Sequence, residues 1–483
     1  MIELSINWAA VTPVLILTGL GLLLVLLGTF FPRIYDETLA AIVLTGLAAT
    51  VFFTLQNWGE NPATSFGMLL TDDATHAFSL IFSLSAALTV LLSLNQQERS
   101  YLLYSDYFAL VLFATLGMYL MAASGDLIML FLGLEVLSIS LYVLAGFRRS
   151  NGFAIEAAFK YFLLGAFASA FFLLGIAFIF GATGSTQIAA LAGGGQAASG
   201  MLTGLLPYGL ILLLVGFGFK LALFPFHLWA PDVYQGAPSP VAAFMATGSK
   251  AAAFAGLMRV AAAFDLWSMV PWQNLLWLLA VLTILAGNIV ALRQSNIKRM
   301  LAYSSIAHAG YMLIGVLAGI ENGYPSLLFY LLAYTFMNIG AFGVLTWLGT
   351  AEHEILTLDD MRGLAKIRPY SSVMMATFLI SLAGIPPTAG FIGKYFIFIA
   401  AVRSGYLWLV IIALIGSMIG LYYYLRVTVV MFMQARGENS PESAGHQPFV
   451  AIALAVCFFA VFNLGLFPSR WLVVFQELVH LLP

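Results

Sequence analysis

The stretch Gly216-Phe-Gly-Phe-Lys-Leu-Ala-Leu-Phe-Pro-Phe-His-Leu-Trp-Ala-Pro-Asp-Val-Tyr-Gln-Gly-Ala-Pro238 sets Lys220 five residues before Pro225, inside an apolar segment long enough to cross a bilayer. Proline removes a backbone donor and breaks the helix. In hydrocarbon, the freed backbone groups are tolerated only where protein or a water-filled cavity satisfies them. A second break, Gly384-Ile-Pro-Pro-Thr388 with Pro386 and Pro387, precedes Lys394 in Gly390-Phe-Ile-Gly-Lys394. Lys160 and Lys250 also stand alone in apolar surroundings. An ammonium at the bilayer centre costs roughly 2.5–3.5 kcal/mol, so such a residue is a functional hypothesis by default. Together with Glu135, these lysines read as a path for protons or cations.

Working outward, 62% of the 483 residues are hydrophobic and only 8% are charged. A soluble domain carries roughly 25% charged residues, so this surface faces mostly lipid. The net charge of −2 offers no basic patch and argues against nucleic acid as a partner. Cys457 is the single cysteine, which excludes an intrachain disulfide, a thiolate zinc site and an iron–sulfur cluster. No Gly-rich phosphate loop or haem-attachment signature is present. The chain is therefore expected to hold no metal and no cofactor of its own, and to perform no redox chemistry. The segment 8–31 is too long for a signal-peptide core and follows Glu3 rather than a basic residue, so it is expected to remain as a transmembrane helix.

The fold class is all-α and polytopic. A span needs about 20 mostly apolar residues, and about fourteen such segments are present. They cover 8–31, 37–56, 75–94, 105–123, 127–147, 157–182, 206–236, 239–263, 272–293, 299–319, 324–349, 370–402, 407–433 and 448–468. The seventh and twelfth are overlong and hold the proline breaks. They sit five spans apart, so spans four to eight and nine to thirteen are expected to form two inverted five-helix repeats with discontinuous members in matching places. The expected domains are 1–104 (three N-terminal helices), 105–263 (first repeat), 272–433 (second repeat) and 448–483 (a last span with an interfacial segment from 469 to 482). Basic residues give the orientation. Arg33, Arg99, Arg148, Arg149, Arg293, Lys298, Arg299, Arg362, Lys366, Arg368 and Arg436 read as loop residues after odd-numbered spans, and Arg259, Arg403 and Arg470 fall on the other side. Positive loops stay inside, which puts both termini outside.

Glu135, in Phe131-Leu-Gly-Leu-Glu-Val-Leu137, falls about two turns into the fifth span. It reads either as a static hydrogen-bonded glutamate or as a carboxylate paired with a lysine. Lys220 falls in the last turn before its break, where a helix C-terminus favours a cation. Lys250 is central in the eighth span among small neighbours that leave room for water. Lys394 follows its break, near a half-helix N-terminus whose dipole opposes a positive charge. On that reading Lys394 holds its proton less firmly than Lys220. For each lysine the plainer alternative is snorkelling or a fixed ion pair. Lys160 lies four residues after Glu156, the spacing of an ordinary helical ion pair. His308 suits a relay between lysines or plain packing, and His227, beside Pro225, is read the same way. Asp232 either caps a helix end or handles protons. Aromatic runs such as Tyr422-Tyr-Tyr424 are assigned to packing.

These residues resemble the antiporter-like membrane subunits of respiratory complex I, the proton-pumping NADH:quinone oxidoreductase. The 216–238 run carries the resemblance, with Ser295-Asn-Ile-Lys-Arg-Met-Leu-Ala-Tyr-Ser-Ser305, Leu382-Ala-Gly-Ile-Pro-Pro387 and Phe391-Ile-Gly-Lys394. The likeness extends over essentially the whole chain. It implies two inverted repeats with a half-channel in each. Glu135 and Lys220 are then the paired charges of the first half, Lys250 the connecting lysine and Lys394 the second-half lysine. The resemblance also implies that NADH, FMN, iron–sulfur clusters and quinone belong to other subunits, whose quinone chemistry drives the pumping. Neighbouring antiporter-like and small membrane subunits would be the partners, in a bacterial inner (plasma) membrane with both termini periplasmic. Of the family's three antiporter-like subunits, the longest carries a lateral helix for which no room remains after Pro483. A second typically has glutamate where Lys394 stands, so the wording here favours the third. Multi-subunit sodium/proton antiporters and ferredoxin-linked relatives share the signature. A purely scaffolding role would leave the buried lysines without purpose.

Overall fold

The computed structural model describes residues 6–31, 34–94, 104–191, 203–349, 357–435 and 447–477; Arg33, Arg99, Arg436 and His480 lie outside them. The chain opens with α1 (Trp8–Phe30) and α2 (Asp36–Gln56), then a short antiparallel hairpin, β1 (Ala63–Ser65) and β2 (Leu69–Thr71). Next come α3 (Asp73–Ser93), α4 (Tyr104–Ala122), α5 (Leu127–Ala145) and α6 (Gly152–Thr183). The interrupted seventh span is α7 (Leu206–Leu221) followed by α8 (Ala230–Gly236). It leads into α9 (Ser239–Ala263), α10 (Val270–Ala291), α11 (Ile297–Leu317) and α12 (Gly319–Leu348). The interrupted twelfth span is α13 (Pro369–Ala383) with α14 (Ala389–Arg403). The described chain ends with α15 (Leu407–Met433), α16 (Pro448–Leu466) and the short α17 (Pro468–Glu477). Twelve helices among the described residues are long and apolar enough to cross a membrane, and both interruptions fall at the prolines. The hairpin had no signal in the hydropathy pattern.

Local chemistry sets the boundaries. Asn7, Asp72, Asp126, Asn151 and Asn296 each accept a backbone N–H of the helix that follows, which satisfies donors the helix cannot bond itself. Both first half-helices close in the left-handed region, at Ala222 (φ 56°) and Gly384 (φ 87°). Each is sealed by a reverse bond, Leu223 N–H to the Gly218 carbonyl at 2.8 Å and Ile385 N–H to the Ile380 carbonyl at 3.2 Å. The next freed donor, Phe224 N–H, bonds Thr283 Oγ1 of α10 at 3.0 Å. The breaks are thus satisfied by protein.

Three helices form the centre. α9 and α12 are buried throughout their apolar length and α11 nearly so, whereas α1, α2, α6, α15 and α16 present most of their surface outward. Lipid is as apolar as leucine, so helices in a membrane associate through close packing of small residues. Gly117 and Gly133 bring α4 and α5 together so tightly that a Cβ at Gly117 would sit 2.4 Å from the Leu137 nitrogen. Gly287 does the same between α10 and α11, 2.6 Å from the Ala307 nitrogen. Gly117→Leu is therefore expected to destabilise the protein by about 3 kcal/mol. Gly19→Leu on α1, which meets nothing within 4 Å, should leave it unchanged. Thermal unfolding of the two purified variants in detergent checks this contrast.

Candidate functional site

Side chains on a helix tilt toward its N-terminus, so the charge of Lys220 leaves the break and turns back into the helix bundle. Its ammonium donates to Ser138 Oγ on α5 at 2.7 Å and to Tyr161 OH on α6 at 3.3 Å. It also lies 5.3 Å from the centre of the Tyr161 ring and 5.7 Å from that of Tyr142. Tyr161 in turn stacks on Trp229, whose Nε1–H donates to the Phe219 carbonyl at 2.9 Å and closes the far side of the break. Glu135 is half-buried and accepts a hydrogen bond from Ser169 Oγ of α6. No ion pair within 4.0 Å joins it to Lys220 among the described residues. Between Ser169 and Ser138 lies a cavity of about 10 Å³ that Lys220 also lines, the scale of a single water. Glu135 and Lys220 thus each bond a serine on the wall of this cavity, and no hydrogen bond among the described residues joins the two serines.

Lys250 follows a wide i→i+5 turn, Met245–Ser249, of the kind that recurs at functional sites. Its ammonium donates to the Ser305 carbonyl of α11 at 2.5 Å. One turn further along α11, His308 is enclosed by tyrosines. Its Nδ1 lies 2.6 Å from Tyr330 OH, and its Nε2 lies 3.2 Å from Tyr424 OH, which also bonds Ser304. Tyr424, assigned to packing from the sequence, thus joins α15 to Ser304 and His308 of α11. Lys394 completes the line. Its ammonium donates to the Leu382 and Ala383 carbonyls, both at 3.0 Å, and to Ser417 Oγ at 2.9 Å, and lies 5.0 Å from the centre of the Tyr311 ring.

That geometry corrects the dipole argument. Lys394 belongs to the half-helix that starts after the break, yet its charge is held by the last carbonyls of the half-helix that ends before it. The chain turns back at Gly384, so the partial negative end of α13 faces the lysine, and the expected ranking below Lys220 loses its basis.

The other candidates lie apart from this line. Lys160 pairs with Glu156 at 2.7 Å as its spacing predicted, and equally with Asp232 at 2.7 Å. Asp232 also pairs with Arg299 at 2.5 Å, so its carboxylate ties α6, α8 and α11 together rather than capping a helix. His227 is buried in the seventh-span break beside Phe224, and its Nδ1 has no partner among the described residues. Two basic residues read as loop charges are internal. Lys298 is buried in the first turn of α11 and donates to the Ala237 carbonyl at 3.1 Å. Arg259 is buried in the last turns of α9, bidentate to Asp72 at 2.8 and 3.0 Å. The apolar residues that follow Arg259 and the capping pattern Asp72-x-x-Thr75 were the available signals.

The fold and the line of buried lysines define a polytopic membrane protein of the antiporter-like class. Residues 124–420 match the family model described as NADH:quinone oxidoreductase/Mrp antiporter, transmembrane. The NADH-quinone oxidoreductase subunit N of Trichlorobacter lovleyi is 44% identical over 478 residues, 99% of this chain and 98% of that one. The subunit N of Salinibacter ruber is 43% identical over 465 residues, 93% and 91% of the two chains. Among solved structures, a chain of respiratory complex I from Thermus thermophilus with bound aureothin superposes with a TM-score of 0.80 at 39% identity, covering 95% of this chain and 98% of that one. A chain of the Mrp complex from Dietzia sp., at 22% identity with a TM-score of 0.83 over 98% and 97% of the chains, shares the fold. The chain belongs to the NADH:quinone oxidoreductase/Mrp antiporter family, within its subunit N group.

The three-way tie at Asp232 generates a prediction. Asp232→Asn removes both attractions, but Lys160 keeps Glu156 and Arg299 keeps Gln235 at 3.0 Å. Because the carboxylate is one-third exposed, the expected loss is about 1 kcal/mol, read by thermal unfolding of the variant.

Proposed function

We propose that this chain is a proton-translocating membrane subunit of NADH:quinone oxidoreductase, driven by quinone reduction in other subunits, where NADH, FMN, iron–sulfur clusters and quinone reside. It contributes no redox step. The observation that carries the reading is the manner in which Lys220, Lys250 and Lys394 are held. Each ammonium is met by hydroxyls, carbonyls or aromatic faces, with no carboxylate in contact among the described residues. At Lys220 and Lys394 the hydroxyls donate as well as accept, so they can serve the charged and the neutral amine alike, and the carbonyl at Lys250 accepts from either form; a carboxylate contact instead fixes the charge. Lys160, clamped by two carboxylates, is assigned to the structural tie.

In this proposal Glu135 acts on Lys220 through Ser169 and Ser138, and Lys250 connects the halves. His308 relays protons with Tyr330 and Tyr424 beside it, and Lys394 ends the line. Residues 105–263 and 272–433 act as inverted halves; the matching breaks and the matching glycine contacts of α4 with α5 and α10 with α11 support that division. The partners are neighbouring antiporter-like and small membrane subunits. The setting is a bacterial inner membrane with both termini on its outer side.

Lys220→Met and Lys394→Met, made separately, test the reading in vesicles where electron transfer and proton uptake are measured together. The complex should still reduce quinone, with proton uptake per electron falling steeply in both variants. Pumping at the native ratio in both would refute it. Sodium-driven transport by a small assembly containing this chain would favour an antiporter instead.

A further inference from the structure

Arg259 and Asp72 take no part in the line from Glu135 to Lys394, yet they form the most completely bonded buried ion pair among the described residues. The guanidinium donates to both Asp72 oxygens, to Thr75 Oγ1 at 2.7 Å and to the Ala122 carbonyl. Asp72 also accepts from the Thr75 N–H and hydroxyl, both at 2.7 Å. A fully buried pair gains little net stability over an apolar replacement, because desolvation offsets the attraction. Its position is more informative. Arg259, held by Asp72 behind it, lines a cavity of about 270 Å³ formed by the hairpin, the start of α3, the ends of α4 and α9 and the start of α12. All of these lie on the side where the termini are expected. Gln187 and Tyr324 add polar groups to its wall.

On the wall of the cavity Phe78 packs edge-on to Tyr324, and it stacks on Phe82 one turn further along α3, so apolar rings line the inward side. Further along α3, Ser85 Oγ bonds Thr247 Oγ1 at 2.7 Å, in the wide turn that precedes Lys250. Arg259 lies nine residues further along α9 than Lys250, about 13–14 Å of helix rise. A fixed guanidinium repels protons and cations, and hydrophobic constrictions gate by excluding water; both devices recur in selective pores.

We infer that the Asp72–Arg259 pair, backed by Phe78 and Phe82, is the outer gate of this chain, through which protons leave the Lys250 region into a vestibule open on the side of the termini. The inference rests on the proton-translocating reading. Arg259 is the electrostatic barrier. Asp72 is the one group of the pair able to take up a proton; protonating it would release the guanidinium and lower that barrier.

The test uses the assembled complex in sealed vesicles. Ala262 lines the cavity, and the single native cysteine, Cys457, is buried. Ala262→Cys should react with a charged, membrane-impermeant methanethiosulfonate reagent from the side of the termini, read as a mass increase on this chain. Protons pumped per electron should then fall, and should recover when the adduct is reduced. No modification, or modification without effect on pumping, overturns the gate. Because the adduct is formed after assembly, folding does not confound the result. The double variant Asp72→Asn with Arg259→Gln leaves no unpaired charge and keeps a capping side chain on α3. It should reduce quinone normally while passive proton leak rises roughly tenfold, about 1.4 kcal/mol off the barrier. An unchanged leak again overturns the inference. If the Lys220 and Lys394 variants stop pumping while both gate tests are negative, the gate alone fails; if those lysine variants pump normally, the underlying reading fails with it.

Discussion

The structure is organised around the cost of placing a cation where water is absent. An isolated ion in an apolar medium is penalised far beyond what one hydrogen bond returns. Each buried lysine must therefore be met by oriented dipoles that the fold supplies in advance. The chain supplies them in three ways: from hydroxyls of neighbouring helices at Lys220, from a main-chain carbonyl of α11 at Lys250, and from the carbonyl end of a broken helix at Lys394. The centrality of α9, α11 and α12 follows from the same cost. Lys250 sits on one of these wrapped helices, whereas Lys220 and Lys394 sit on half-helices with exposed faces and turn their charges inward, away from lipid.

The two breaks solve one backbone problem and serve different ends. Both first halves close with a left-handed residue and a reverse hydrogen bond. At α13 two of the carbonyls left over are spent on Lys394. At α7 the Phe219 carbonyl goes to Trp229, the freed Phe224 N–H goes to Thr283, and the lysine looks elsewhere. The difference lies in which side of the break carries the lysine. Lys220 precedes its break and tilts away from it, whereas Lys394 follows its break and tilts back onto it.

The sequence was legible wherever a residue type is rare in its setting. Prolines in long apolar runs placed both breaks, and three of the four isolated lysines, Lys220, Lys250 and Lys394, are buried in the core, while Lys160 is more than one-third exposed. It was illegible wherever meaning depends on direction or on a distant partner. The dipole at Lys394 was assigned from chain order, but the charge meets the preceding half-helix because the backbone reverses at Gly384. Arg259 and Lys298 sit at the ends of apolar runs, where a basic residue ordinarily snorkels to the interface. Nothing local revealed that Asp72, far away in sequence, or the carbonyls ending α8 would hold them. Tyr424 failed for a related reason: in a chain with 20 tyrosines, a hydroxyl that bonds a histidine is indistinguishable from one that merely packs.

The charges also divide by the company they keep. Toward one face of the bundle, Lys160 and Arg299 share Asp232; toward the other, Arg259 is locked to Asp72. These carboxylate contacts hold their partners charged and join helices distant in sequence. Between them, Lys220, Lys250 and Lys394 have neutral partners only among the described residues. A proton cannot be handed along a chain of groups each fixed by a counter-ion, and a bundle without fixed charges at its ends would leave the middle open to uncontrolled exchange. In the proposed pathway the carboxylate-bound pairs close the ends while the lysines bonded to hydroxyls and carbonyls remain free to change state. The division is chemical before it is functional: carboxylates hold the charges at the ends, and hydroxyls and carbonyls hold the three lysines between them.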